Sequence, residues 1–101
     1  MSVNTQVKRK IKLKKAPLYC NVFYNNDITH FETVIFLLIS IFNLSEEEAI
    51  KLSGHIHINK KAVVYVNSKE VCDFKKELVI HTCNKINENN LKHDVEIYEN
   101  N

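Results

Sequence analysis

The sequence has little glycine and proline, two residues that are common in turns and loops. Its 101 residues include one of each, and they include no tryptophan. Phosphate-cradling loops need several glycines close together so that the backbone can wrap around the phosphate, and a single glycine argues against such a site. Few loop formers and an apolar content of 45% favour a single compact domain with a modest core.

Cysteine is also scarce. There are three cysteines, Cys20, Cys72 and Cys83, and no CxxC pair, so neither a disulfide framework nor a zinc site is indicated. Cys72 and Cys83 belong to one predicted helix, where their spacing separates them by about 16 Å along the axis. That distance is too long for a disulfide, and a reducing compartment is the simpler interpretation.

The sequence lacks the usual signatures of membrane insertion and of catalysis. Its longest apolar run, Val34 to Ile39, is far too short to span a bilayer, and no secretory segment is visible, so we expect a soluble protein. There is no nucleophile elbow and no pair of carboxylates at catalytic spacing. His55 and His57 are two residues apart and point to different sides of a helix, so they do not chelate one ion. We therefore expect no enzyme, no metal and no cofactor.

Charge is divided unevenly along the chain. Residues 1–15 carry six basic side chains and no acid, whereas the other 86 residues carry 8 basic and 12 acidic side chains, a balance of −4. We predict a flexible basic extension at residues 1–17 and a folded domain at residues 18–99. The extension could also bind nucleic acid or be the remnant of an organelle-targeting segment.

Hydrophobic spacing and helix caps predict six elements in the order β-α-α-β-α-β. Thr29 and Glu32 match a capping box, as do Ser45 and Glu48, and Ser68 is expected to cap the third helix. The second helix is predicted to end near His57. The three predicted strands are Leu18–Tyr24, Lys61–Asn67 and Leu91–Tyr98. Together these elements predict a two-layer α+β domain, with a three-stranded antiparallel sheet covered by three helices.

The polar stretch Asn25-Asn26-Asp27-Ile28-Thr29 lies where the first strand meets the first helix. Asn25 and Asp27 could simply satisfy backbone amides in this turn. They could also belong to a binding site, since such junctions often carry functional side chains. Local sequence leaves both interpretations open.

Four segments in the right order extend this picture: YCNVFYNNDITHFETVIFLL, SEEEAIKL, HINKKAVVYVNSKEV and NLKHDVEIYE. Together they resemble the ClpS family, the adaptors that recognise N-terminal degradation signals for AAA+ Clp proteases. The resemblance covers residues 18–99 and implies that Asn25, Asp27 and His57 hold the free α-amino group of a substrate. It further implies an apolar pocket for the first side chain, lined by Phe23, Thr29, Phe31, Val34, Ser53, Ile56 and Leu91.

Several positions depart from the family pattern. Phe31 and Ser53 stand where methionines are usual, so the preference among Leu, Phe, Tyr and Trp cannot be carried over. Lys60 replaces a glycine, which predicts a different loop because lysine is disfavoured at positive φ. Asn26 replaces the first aspartate of a pair and is the member of the turn whose change should matter least.

The resemblance implies an adaptor that delivers N-degron-bearing proteins to a Clp AAA+ unfoldase of the ClpA or ClpC type in the N-end rule pathway. A monomer without nucleic-acid or membrane partners is expected. Two rival hypotheses are a nucleic-acid-binding module that uses the basic tail and a Clp regulatory partner without degron binding. AT-type composition, with 13 Lys, 13 Asn and 11 Ile, favours a plastid-type organelle, apicoplast-like, of an AT-rich eukaryote. The alternative is the bacterial cytoplasm.

Overall fold

The computed structural model describes residues 17–99, and six elements lie within this range. Apart from Pro17, the predicted flexible extension lies outside the described residues. The strands are β1, Tyr19–Tyr24; β2, Lys61–Asn67; and β3, Lys92–Ile97. The helices are α1, Phe31–Ser40; α2, Glu46–Asn59; and α3, Lys69–Lys85.

The three strands form one antiparallel sheet in the order β2-β1-β3. The first strand of the chain is therefore the central one, and four of its six residues are buried. α3 packs on all three strands, while α2 packs on β2 and on α1. The predicted α+β class and the order β-α-α-β-α-β are confirmed.

Two of the three predicted caps are confirmed. Ser45 and Glu48 form a reciprocal capping box at the start of α2, with bonds of 2.9 and 3.1 Å. The Ser68 hydroxyl accepts a hydrogen bond from the amide of Val71 at the start of α3. Both caps depend only on residues next to the helix, which explains why sequence reveals them.

The third predicted cap is wrong. α1 begins at Phe31 and its N-cap residue is His30, with no side-chain hydrogen bond at the cap. The Thr29 hydroxyl is buried and has no hydrogen-bond partner among the described residues. The amide of Thr29 instead donates to the Asn26 side chain at 2.7 Å, so the preceding turn is stabilised by a different residue.

One apolar cluster fills the space between the helices and the sheet. Phe23 of β1 is 1% exposed, and Leu37 and Leu38 of α1 are fully buried beside it. A buried amide hydrogen bond of 3.0 Å, from the Asn21 side chain to the carbonyl of Cys72, also ties β1 to α3. Its burial makes this bond costly to break, and it holds the central strand against its helix.

All three cysteines are buried, and none of them forms a disulfide. As expected from sequence, Cys72 and Cys83 lie in the same helix. Burial raises the pKa of the Cys20, Cys72 and Cys83 thiols, so each stays protonated at neutral pH.

Among residues 17–99, none of the helices combines the length and the apolar content that a bilayer crossing demands.

Lys60 occupies a strained backbone position. It follows α2 with φ of 77°, whereas the other two positive-φ residues in the range 17–99, Asn43 and Asn87, are of a type that tolerates this region. Lys60→Gly should therefore raise the free energy of unfolding by about 0.5–1 kcal/mol, which is the αL penalty less the added freedom of the unfolded chain. Urea denaturation measures this change.

The matched control for Lys60→Gly is Lys61→Gly, one residue further along in extended β2. That glycine gains nothing from φ and should lower stability by about 0.5–1 kcal/mol. Equal losses in both variants would show that position 60 is not strained.

His93 on β3 gives the fold a pH dependence. Burial, and then the nearby Lys76, lower the pKa of His93 below 6.5, while Asp94 opposes them. Because the unfolded chain binds this proton more readily, stability should fall as pH drops from about 6.5 toward the folded pKa. His93→Gln should flatten this part of the stability curve between pH 7 and 5. An unchanged slope in the variant would contradict the assignment.

Candidate functional site

A cavity of about 510 Å³ opens between the β1–α1 turn, the last turns of α2 and the start of β3. Most of its surface is apolar, and its polar groups come from the turn and from α2. The residues that line it are Tyr24, Asn25, Asn26, Asp27, Thr29, Phe31, Val34, Ser53, Gly54, Ile56, His57, Ile58 and Leu91.

Strand pairing brings these distant segments together. β1 ends where β2 begins, with Tyr24 opposite Lys61. One residue beyond the pair, the amide of Asn25 donates to the carbonyl of Lys60 at 2.8 Å. Since α2 ends at Asn59, this bond sets the turn beside the C-terminal turn of α2.

The structure places the three amine-binding candidates around this one cavity. Asn25 and Asp27 approach from the turn, and His57 approaches from α2. His57 and Asp27 are exposed and Asn25 is partly exposed, so all three can be reached from solvent. In residues 17–99 none of their side chains takes part in a hydrogen bond or ion pair with another residue.

Six of the seven predicted pocket residues also line the cavity. Ile56 is buried, whereas Phe31 is 48% exposed and lies at the rim. The six are Thr29, Phe31, Val34, Ser53, Ile56 and Leu91.

Phe23 is the exception and needs correction. It does not line the cavity, since its ring packs edge-on against Phe42 at 5.8 Å between centroids, inside the core. Side chains alternate along a strand, so the residue after Phe23 points differently. That residue, Tyr24, lines the cavity instead, and its hydroxyl donates to the carboxylate of Glu96. The hydrogen bond to Glu96 is the main cause that raises the Tyr24 pKa to about 12.

Sequence reasoning also missed that Asn26, Gly54 and Ile58 line the cavity. Ile58 follows His57, lines the cavity and is 74% exposed, an unusual position for an isoleucine. Sequence could have indicated this residue, because Ile58 directly follows the candidate amine-binding residue His57 near the end of the predicted helix. The contribution of Asn26 depends on a contact with a distant loop, which sequence does not show.

Asn26, rather than Asn25 or Asp27, stabilises the turn. Its side-chain oxygen accepts from the amides of Ile28 and Thr29 at 2.9 and 2.7 Å. Its side-chain nitrogen donates to the carbonyl of Asn90, next to the cavity residue Leu91. For the architecture of the turn, the expectation that Asn26 matters least is therefore wrong.

A second set of contacts joins the same two walls of the cavity. The Glu88 carboxylate lies 3.2 Å from the His30 ring nitrogen and 3.3 Å from the Thr33 hydroxyl, linking the loop before β3 to the start of α1. His30 is exposed, so this contact contributes little stability by itself. Together with the Asn26 contact it fixes the position of Leu91 relative to the turn.

No cluster of three or more His, Cys, Asp or Glu side chains suited to a metal ion occurs within residues 17–99. At the cavity the available chemistry is that of an amide, a carboxylate and an imidazole, next to an apolar surface. Such groups can accept hydrogen bonds from a cation. Fold and cavity together define a small α+β domain with an apolar, ligand-sized cavity that carries polar groups at its edge.

Comparison with known proteins gives the family. The family model described as "ATP-dependent Clp protease adaptor protein ClpS" matches residues 14–93. The ClpS adapter of Myxococcus xanthus is 36% identical over 78 residues, which cover 77% of this chain and 73% of that protein. The ClpS adapter of Caulobacter vibrioides is 36% identical over 84 residues, or 83% of this chain and 75% of the relative. This chain belongs to the ClpS family.

A solved structure has the same fold. Agrobacterium tumefaciens ClpS2 bound to L-phenylalaninamide aligns with a TM-score of 0.76 and 23% identity. The alignment covers 83% of this chain and all of that one.

Asn26 can be tested by separating its two functions. Asn26→Ala should lower the free energy of unfolding by about 1–2 kcal/mol, since it removes both the turn acceptor and the donor to Asn90. Asn26→Asp keeps the acceptor and should lose less. Hydrogen exchange should show the Ile28 and Thr29 amides exposed in the alanine variant and protected in the aspartate variant.

Asn25→Ala serves as the control, because the Asn25 side chain makes no hydrogen bond within the described part of the chain. Its stability should match the wild type. Unchanged exchange of the two amides in Asn26→Ala would contradict the assigned role.

Proposed function

We propose that this chain is a non-catalytic adaptor that binds proteins by a free N-terminus starting with a large hydrophobic residue: Leu, Phe, Tyr or Trp. It then delivers them to a Clp AAA+ unfoldase for degradation. The observation that carries the proposal is a set of polar side chains, Asn25, Asp27 and His57, that make no hydrogen bond within residues 17–99 and lie at the edge of an apolar cavity.

The polar groups suit a protonated α-amino group. With a pKa near 7.7–8.0, such a group is mostly an ammonium at neutral pH and offers three donors. The Asn25 amide oxygen and a neutral His57 ring nitrogen would accept directly, and the Asp27 carboxylate would act close by or through water. Each charge-assisted bond is worth about 1.5–3 kcal/mol. An acetylated N-terminus loses the charge and two of the three donors.

The apolar wall suits the first side chain. Val34, Ile56 and Leu91 offer hydrocarbon surface next to the amine site, and Phe31 stands at the rim. Burying a leucine or phenylalanine side chain contributes about 1.5–3 kcal/mol, which is comparable with one bond of the amine anchor. Both parts are then needed for useful affinity, so the site would select a free N-terminus and a large apolar side chain together.

Known proteins support this proposal. The ligand of Agrobacterium tumefaciens ClpS2, L-phenylalaninamide, combines a free α-amino group with a large apolar side chain. The curated relatives are adapters of an ATP-dependent Clp protease. For this chain we propose an unfoldase partner of the ClpA or ClpC type and action as a monomer. The relatives reported above are bacterial, which is consistent with the bacterial cytoplasm and gives no support to a plastid-type organelle.

The amine anchor is tested with labelled peptides that begin with Leu or Phe. Asp27→Ala and His57→Ala should each weaken binding by about tenfold to a hundredfold, since one charge-assisted bond is lost. N-acetylation of the peptide should abolish binding to the wild type. Fluorescence anisotropy gives the affinities, and thermal unfolding verifies that both variants stay folded.

The matched control is His55→Ala. His55 is exposed on the same helix, but its ring lies 3.1 Å from the Asn59 side chain and does not line the cavity. Its loss should leave peptide binding unchanged. Full affinity in both Asp27→Ala and His57→Ala, or equal binding of the acetylated peptide, would overturn the proposal.

A further inference from the structure

Two hydroxyl groups at the cavity have no hydrogen-bond partner among the described residues. They are the Oγ of Ser53 and the Oγ1 of Thr29, and both are buried. Both residues line the same cavity, one from α2 and one from the turn before α1. An unsatisfied buried hydroxyl lowers stability, so two at one ligand-sized cavity indicate a use for them.

The missing bond of Ser53 is not forced by its place in a helix. A helical serine commonly donates to the carbonyl four residues earlier, as Ser40 of α1 does to Phe36 at 2.7 Å. Ser53 makes no such bond, although it is only 3% exposed. Rotation about its single χ1 bond turns the hydroxyl among staggered positions, so it can reach toward a ligand in the cavity.

Thr29 has the same property for a different reason. Sequence predicts that its hydroxyl caps α1, but Asn26 stabilises the turn and His30 takes the N-cap position. The Thr29 hydroxyl therefore does not cap the helix. Its hydroxyl and that of Ser53 are buried polar groups of two residues that line the cavity together with Val34, Ile56 and Leu91.

The distance between Ser53 and His57 of the proposed amine site matches the length of an aromatic side chain. Ser53 lies four residues before His57 on α2, on the same face and about 6 Å away along the axis. A ligand whose α-amino group meets His57 therefore lays its side chain along this turn of the helix. A tyrosine side chain, from Cα to its hydroxyl, has a comparable reach.

We propose that the hydroxyls of Ser53 and Thr29 make this cavity selective for a first residue that carries a hydroxyl, so that tyrosine is preferred over phenylalanine. The inference rests on the proposed function and names the ligand of that site more narrowly. A phenol both donates and accepts, as do the two protein hydroxyls, so each partner can be satisfied. Phenylalanine and leucine have the same or smaller apolar bulk and leave both hydroxyls unpaired.

The test compares peptides that differ only in the first residue. Wild-type protein should bind the Tyr-initiated peptide about tenfold more tightly than the Phe-initiated one, because sites that pair a ligand hydroxyl disfavour the analogue that lacks it. Isothermal titration at neutral pH measures both affinities. The double variant Ser53→Ala, Thr29→Val keeps the shape of the wall without its hydroxyls and should bind the two peptides equally.

Two further variants guard the interpretation. Thr29→Ser retains a hydroxyl and should keep most of the tyrosine preference, whereas Ser40→Ala removes a serine outside the cavity and should change nothing. Thermal unfolding of each variant establishes that the ratio is measured on folded protein.

Each outcome assigns a clear result. Equal or tighter binding of the Phe-initiated peptide by wild-type protein overturns the tyrosine preference and leaves the proposed function standing. A preference that survives in the double variant overturns the role of the two hydroxyls. No binding of any unblocked peptide by wild-type protein overturns the proposed function itself.

Discussion

The hydrogen bond from the Asn25 amide to the Lys60 carbonyl is the constraint on which the cavity depends. It extends the β1–β2 pairing by one residue beyond Tyr24 and Lys61, at the end of the sheet. From this point β1 continues into the polar turn, whereas β2 is preceded by α2. Residues more than 30 positions apart in sequence, such as Asn25 and His57, are thereby held at one rim.

The turn at this rim divides its work between neighbouring side chains. Asn26 takes two backbone amides and reaches the loop before β3, which holds the turn in shape. The side chains of Asn25 and Asp27 on either side make no hydrogen bond within the described residues. Polar side chains can face a ligand only if other groups make the hydrogen bonds that the nearby backbone needs. Asn26 makes those bonds in this turn.

Several residues near the cavity depart from the local structure that their residue type usually prefers. Thr29 does not cap its helix, Ser53 does not bond within its helix, and Ile58 is exposed. Lys60 occupies a backbone region that disfavours lysine. All four lie at or next to the cavity, whereas Ser45 and Ser68, which do not line it, cap their helices as predicted. Departures from local preference concentrate at sites that serve another purpose.

Periodicity and helix caps act over a few neighbouring residues, so the sequence alone predicts the six elements, their order and two of the three caps. Most of the residues around the cavity are implied by the resemblance to the ClpS family and not by local pattern. The tertiary structure decided the rest. It placed Phe23 in the core and Tyr24 at the cavity, since only packing shows which face of a central strand is covered. It also showed that Asn26 stabilises the turn, since Asn26 adds to its two local bonds with the Ile28 and Thr29 amides a bond to the Asn90 carbonyl, 64 residues away in sequence. Local sequence does not show that long-range contact.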